Sequence, residues 1–196
     1  MNEDPISAEE WVTREDLLCK QERIERLEWL IEKYPIGSDG VLFPGGILTK
    51  QLFEEARYCF IYAQFLASIF LSLAFIERVL AALLFGAGRD DFKKSGIAEL
   101  SKEARRVGFL SEDEFQAIDK LRQRRNPLTH FREPGHKETV EFRSVQTIYD
   151  EVEFPMSPEE IIANDSVMAL NLVLHLLGRL CTPIGFEQAM LLFRLR

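Results

Sequence analysis

Three cysteines in 196 residues, Cys19, Cys59 and Cys181, are too few and too scattered for a disulfide framework or a CxxC metal or redox site. The chain opens without a basic segment, an apolar core and a small-residue cleavage site in succession, so a reducing cytoplasmic setting is expected. Positive charge is also in short supply. With 24 Lys+Arg against 32 Asp+Glu, the net charge is −8 and the pI is near 5.1, which excludes a general DNA-coating protein. A local basic site remains compatible with that balance. Internal repeats and low-complexity tracts are absent. What is present is a normal apolar fraction, 46%, which excludes wholesale disorder. The length suits one domain with an extension, or two very small domains.

Residues 1–36 hold ten acidic and five basic side chains, so −5 of the −8 lies there. Nothing breaks a helix from about Ser7 to Lys33. Leu17, Ile24 and Ile31 recur every seven residues with Leu27 and Tyr34 between them, and Lys20 interrupts the seam. This predicts an amphipathic helix that docks on its own domain or, less favoured, on a partner. Pro35 ends it and a loop follows to Gly46. Gly45-Gly46 with Thr49-Lys50 lacks the spacing of a phosphate loop. These features divide the chain into an acidic helical extension with its loop, residues 1–44, and a helical domain, residues 45–196.

Thr49 to Phe85 contains no Pro or Gly and predicts one long helix ending at Gly86 and Gly88. Its uncharged run, Tyr58 to Ile76, approaches a membrane span in length. Gln64, Ser68 and Ser72, and the lack of a Lys/Arg bias at either end, favour a buried core helix with no membrane. Ala67, Ala74 and Ala81 add a small-residue face suited to close helix approach. Further helices are expected from Ser95 to Val107, from Glu112 (capped by Ser111 and Glu114) to Asn126, from Pro158 to about Cys181, and over Phe186 to Arg194. His130 to Asp150 reads as a polar stretch. Five or six helices without a convincing strand make an all-α bundle.

The chemistry concentrates in one helix. At 100° per residue from Phe115, the apolar stripe of Phe115, Ile118 and Leu121 centres near about −60°, while Arg125 falls at about −80° and Arg122 at about −20°. Both arginines leave from the face that should meet the core, and a buried charge needs a partner, a cleft or a subunit boundary. Lys120 and Arg124 point the other way, as solvated charges. Pro127 removes an N–H and should kink or end the helix. Three residues later stands His130, one of three histidines. From Asp119 to Lys137 there are six basic and two acidic residues, the one locally positive stretch of the chain. An imidazole that moves protons near neutral pH, beside a guanidinium that stabilises phosphate charge, suits phosphodiester cleavage. His136 with His130 and Glu138 matches no metal-ligand spacing, and no metal or cofactor is expected. His175, in Val-Leu-His-Leu-Leu, reads as a core or interface histidine.

Arg125-Asn126-Pro127-Leu128-Thr129-His130 resembles the R-x(4–6)-H signature of HEPN domains, small all-α dimeric domains found in many RNA-cleaving toxins and phage-defence proteins. Asn126 occupies the position after the arginine that the family fills with Asn, Asp or His, a condition that makes chance matches scarce. The resemblance spans roughly Thr49 to Cys181. It implies a HEPN-type bundle with an added N-terminal helix, and a metal-independent endoribonuclease whose two subunits bring their Arg/His pairs into one cleft. His130 would be general base or acid toward a ribose 2′-OH nucleophile. Arg125 would bind the scissile phosphate, and Asn126, Arg122 and Arg132 would bind or orient the RNA. Glu77 would hold Arg125 or Arg122, or would only make a core-edge salt bridge. An antitoxin or other regulatory partner is a further expectation. Pro127 departs from the family pattern. So does Arg132, which stands where the subfamily paired with nucleotidyltransferase antitoxins has a tyrosine. The residues also admit a non-catalytic HEPN-like dimerisation or interaction protein whose acidic helix docks elsewhere.

Overall fold

Some helix starts in this chain are written into Ser-x-x-Glu boxes. The computed structural model, which describes residues 6–34, 41–92, 94–133, 135–149 and 155–183, closes three of them, at Ser7/Glu10, Ser111/Glu114 and Ser157/Glu160. Among the described residues the protein is all-α. Its helices are α1 (Ala8–Lys33), α2 (Ile47–Ile61), α3 (Phe65–Gly86), α4 (Ile97–Arg106), α5 (Glu112–Thr129), α6 (Val140–Tyr149) and α7 (Pro158–Leu180). A two-residue antiparallel ladder pairs β1 (Val41–Leu42) with β2 (Thr182–Pro183), too short to leave an alternating pattern in the sequence. The helix expected over Phe186 to Arg194 lies outside the described residues.

The long helix expected from Thr49 to Phe85 is two. The chain turns at Tyr62 and Ala63, and Ala63 takes a left-handed φ of 56°, a conformation uncommon without glycine. The apolar run from Tyr58 to Ile76 therefore straddles a corner. Packing overrides propensity here: α2 folds back on α3, which places Phe43, Phe53 and Phe75 in one aromatic cluster and Phe60 against Phe65. Gly45 sets up the start of α2. Its φ is +83°, and a Cβ there would lie 2.6 Å from Thr49 Oγ1, so any side chain would both strain the turn and clash.

α3 and α7 form the centre. Ile69, Leu73, Phe75, Ile76, Leu80 and Leu84 from α3 meet Ala169, Leu170, Val173 and Leu177 from α7, with Ile118 and Leu121 of α5 and Leu100 and Ala104 of α4 completing the core. By length and composition both α3 and α7 could cross a membrane, and 44% and 56% of their apolar windows are buried inside the protein. Ala67, Ala74 and Ala81 are only half-buried, so that face of α3 is incompletely covered.

α1 meets the favoured expectation that its seam docks on its own domain only in part, through Tyr34, whose ring meets Phe53 edge-on, and half-buried Leu27. Only Leu30 is buried. Contact with the body runs through Trp29 against Phe60, Arg26 donating to the Ile61 carbonyl at 2.9 Å, and Arg23 over the Tyr62 ring. Trp29, Arg26 and Arg23 point away from Leu17, Ile24 and Ile31, the outward part of the seam. Leu17 (74%), Ile24 (37%) and Ile31 (43%) face solvent.

Candidate functional site

α5 runs three residues past its expected end at Asn126, to Thr129. Pro127 deprives the Gln123 carbonyl of a partner, and Gln123 is exposed, so water can supply one. The last turn closes beyond the proline, where the His130 N–H donates to the Asn126 carbonyl at 3.0 Å and the Thr129 hydroxyl donates to it at 3.1 Å. His130 is thus the C-terminal cap, in extended conformation and exposed. Asn126 contributes its backbone to that cap.

The charges around this helix end are not equivalent. Arg122 donates Nε and Nη2 to Asp119 Oδ1 at 3.0 and 2.7 Å. Arg132 sits 3.8 Å from Glu138. Arg125 is half-buried and its Nε is sealed from solvent, yet nothing among the described residues accepts a hydrogen bond from it. Glu77 joins neither Arg122 nor Arg125 among the described residues, by hydrogen bond or ion pair. Nor does any such contact link Arg125 to His130 within the chain. The guanidinium stands in the helix wall and the imidazole at the helix end, one turn and a fraction apart.

Arg124 is not the solvated charge that the helical wheel suggests. It lies beside Arg143 and Asp165, and burial together with the Arg143 charge pushes its pKa down, against the pull of Asp165. Arg143 makes a two-pronged pair with Asp165, at 2.6 and 2.9 Å, and Asp165 is 5% exposed. Arg143 belongs to α6, in the stretch read from sequence as merely polar. Buried Val140 and half-buried Arg143, Ser144 and Thr147 mark the face that α6 lays on the body.

A second cluster escaped the sequence. His175 is an exposed residue rather than a core one, and its Nε2 lies 2.8 Å from Glu114 Oε1. Arg179 donates Nε and Nη2 to the same carboxylate at 2.6 and 2.7 Å, and also bonds the Phe109 carbonyl. The available signal was the i, i+4 pairing of His175 with Arg179, opposite a capping-box glutamate. The cluster stands about 24 Å along α5 from His130, at 1.5 Å per residue, and it ties α7 to the start of α5.

Burial raises the pKa of Glu114, but hydrogen bonds from the Ser111 N–H, Arg179 and His175 outweigh it, and the net shift is downward from 4.5. A folded-state pKa below the unfolded one adds stability that is complete above the unfolded value and is lost as pH falls through the folded value. Glu114→Gln is therefore expected to cost about 2 kcal/mol at pH 7 and to flatten the decline in stability below about pH 4.5. Urea unfolding of both proteins between pH 3 and 7 measures this. Parallel pH profiles would contradict it.

Compared with known proteins, the chain matches no family model, no curated protein and no solved structure.

Proposed function

We propose that this protein is a metal-independent endoribonuclease of HEPN type, cytoplasmic and homodimeric, of the kind that serves as a toxin or phage-defence effector. One observation carries the reading: Arg125, a half-buried guanidinium with no acceptor among the described residues, shares the end of α5 with an exposed imidazole, His130. An internal salt bridge would have satisfied Arg125; an open acceptor position suits a phosphate oxygen. The half-covered alanine face of α3 supports a second copy as the group that completes the cleft.

In this mechanism one His130 takes the proton from a ribose 2′-OH, and the freed oxygen attacks the adjacent phosphorus. The bond from phosphorus to the 5′-oxygen breaks, leaving a 2′,3′-cyclic phosphate, and the departing oxygen takes a proton from the protonated His130 of the second copy. Arg125 stabilises the charge that gathers on the phosphate oxygens. Arg132 and Asn126 orient the strand. The expected result is cleavage of a mixed RNA pool in EDTA, with 2′,3′-cyclic phosphate ends on the products. Cleavage only with added Mg²⁺, or none from folded protein, overturns the proposal.

The outward seam of α1 favours a second reading, an interaction protein that works through residues 7–34. A folded dimer without nuclease activity, which loses saturable binding of its partner on Leu17→Glu and Ile24→Glu substitution, would identify it. An antitoxin is one partner of that kind.

A further inference from the structure

Directly after His130 the chain holds a phenylalanine out in the open. Phe131 is 86% exposed, more than any other large apolar side chain described. It forms one wall of a cleft of about 410 Å³ that Pro127, Leu128, Arg132, Thr139 and Glu141 also line. That volume is in the range of small-molecule sites, about 300–1,000 Å³. The walls combine an aromatic face, two aliphatic residues from the last turn of α5, and a guanidinium whose Nε makes no hydrogen bond among the described residues. The outward apolar residues of α6, Val145, Ile148 and Tyr149, do not line it.

An aromatic ring interleaved with cations is how proteins hold single-stranded nucleic acid: the ring stacks a base and the cations follow the backbone. Here the order along the chain is His130, Phe131, Arg132, so the ring sits next to the proton-transferring group. We propose that this cleft binds an unpaired nucleobase adjacent to the scissile phosphate, stacked on Phe131 with its phosphate toward Arg132. Glu141 supplies carboxylate acceptors for the edge of the base, while the Thr139 hydroxyl, which donates to the His136 carbonyl and accepts from the Phe142 N–H, holds the wall in place. A base within a helix has both faces covered by its neighbours, so the cleft selects unpaired RNA. The inference rests on the ribonuclease reading and adds to it the form of the substrate.

The test uses the full chain and a fluorescent RNA octamer with 2′-O-methyl groups throughout, which lacks the nucleophile and cannot be cut. Binding is followed by anisotropy in EDTA. Phe131→Ala is expected to weaken binding of the single strand by about 5- to 150-fold, the span measured for loss of one stacking platform. Phe131→Trp should retain it, and neither change should alter binding of the same sequence as a duplex. The side chain is nearly free in solvent, so its removal leaves the fold intact. If wild type cleaves RNA while Phe131→Ala binds the octamer as tightly as wild type, the stacking cleft is overturned and the nuclease stands. If Phe131→Ala instead breaks a dimer in sedimentation, the ring belongs to a subunit interface and the proposal falls. If wild type neither binds nor cleaves RNA, both readings fall together.

Discussion

Replacing His130 with alanine is expected to lower RNA cleavage in EDTA by about 10²- to 10⁴-fold, the usual contribution of a positioned proton-transfer group. Stability should change by less than about 0.5 kcal/mol, because the side chain is exposed and the cap it occupies is made by its backbone N–H, which alanine keeps. That separation gives the experiment its force: activity falls while the urea midpoint does not. Arg125→Lys makes the companion variant. Lysine keeps the charge but loses the planar fork with which Arg125, on the proposed reading, would grip two phosphate oxygens, so a marked loss of rate is expected there too. A His130→Ala protein that cuts RNA at the wild-type rate would remove His130 from the chemistry and the HEPN-type mechanism with it.

Asp165→Asn is expected to produce the largest loss of stability of any single change considered, about 3–5 kcal/mol. Asp165 is buried on α7 and holds Arg143 of α6 through two short hydrogen bonds, with Arg124 of α5 close by. Two guanidinium groups thus lean on one carboxylate. Asparagine keeps the shape but removes the charge, leaving Arg143 and Arg124 to repel each other in a site that is largely out of water. Since domains of this size are stable by only about 5–15 kcal/mol, the variant should unfold at markedly lower urea. The double variant Asp165→Asn with Arg143→Met should recover much of the loss, because it removes the uncompensated charge as well. A cost below about 1 kcal/mol in the single variant would show that the cluster is better hydrated than its burial indicates. The position also bears on function, since α5 between Arg124 and His130 is held against α6 and α7 by these charges.

Much of the secondary structure could be read locally. Ser111/Glu114 and Ser157-Pro158 mark helix starts because a capping box satisfies backbone N–H groups through side chains three residues apart, an interaction needing no tertiary context. The ends were harder. Pro127 suggested a stop because it costs a hydrogen bond, but the remaining turn still closes on the Asn126 carbonyl. The break at Ala63 has no glycine or proline to announce it, and it exists because α2 gains a core by folding back on α3. α6 was hidden because only Val140 of it is deeply buried, while its anchoring side is made of Arg143, Ser144 and Thr147 rather than a hydrophobic stripe.

The same division runs through the candidate site. Sequence alone singled out Arg125, because an arginine on an apolar helix face is anomalous wherever the helix packs, and His130 as the imidazole five residues on; Asn126 entered only with the HEPN resemblance. It also established an acidic, cysteine-poor, all-α chain with one basic stretch. Which arginines are free was a tertiary question. Arg122 is satisfied by Asp119 one turn away, Arg124 is pressed among Arg143 and Asp165, and of these three only Arg125 keeps a buried nitrogen without an acceptor among the described residues. Glu77, chosen from its place on α3, reaches neither Arg122 nor Arg125. Periodicity gives the direction in which a side chain leaves its helix, but the partner waiting there comes from another helix, and its distance is set by how the two pack.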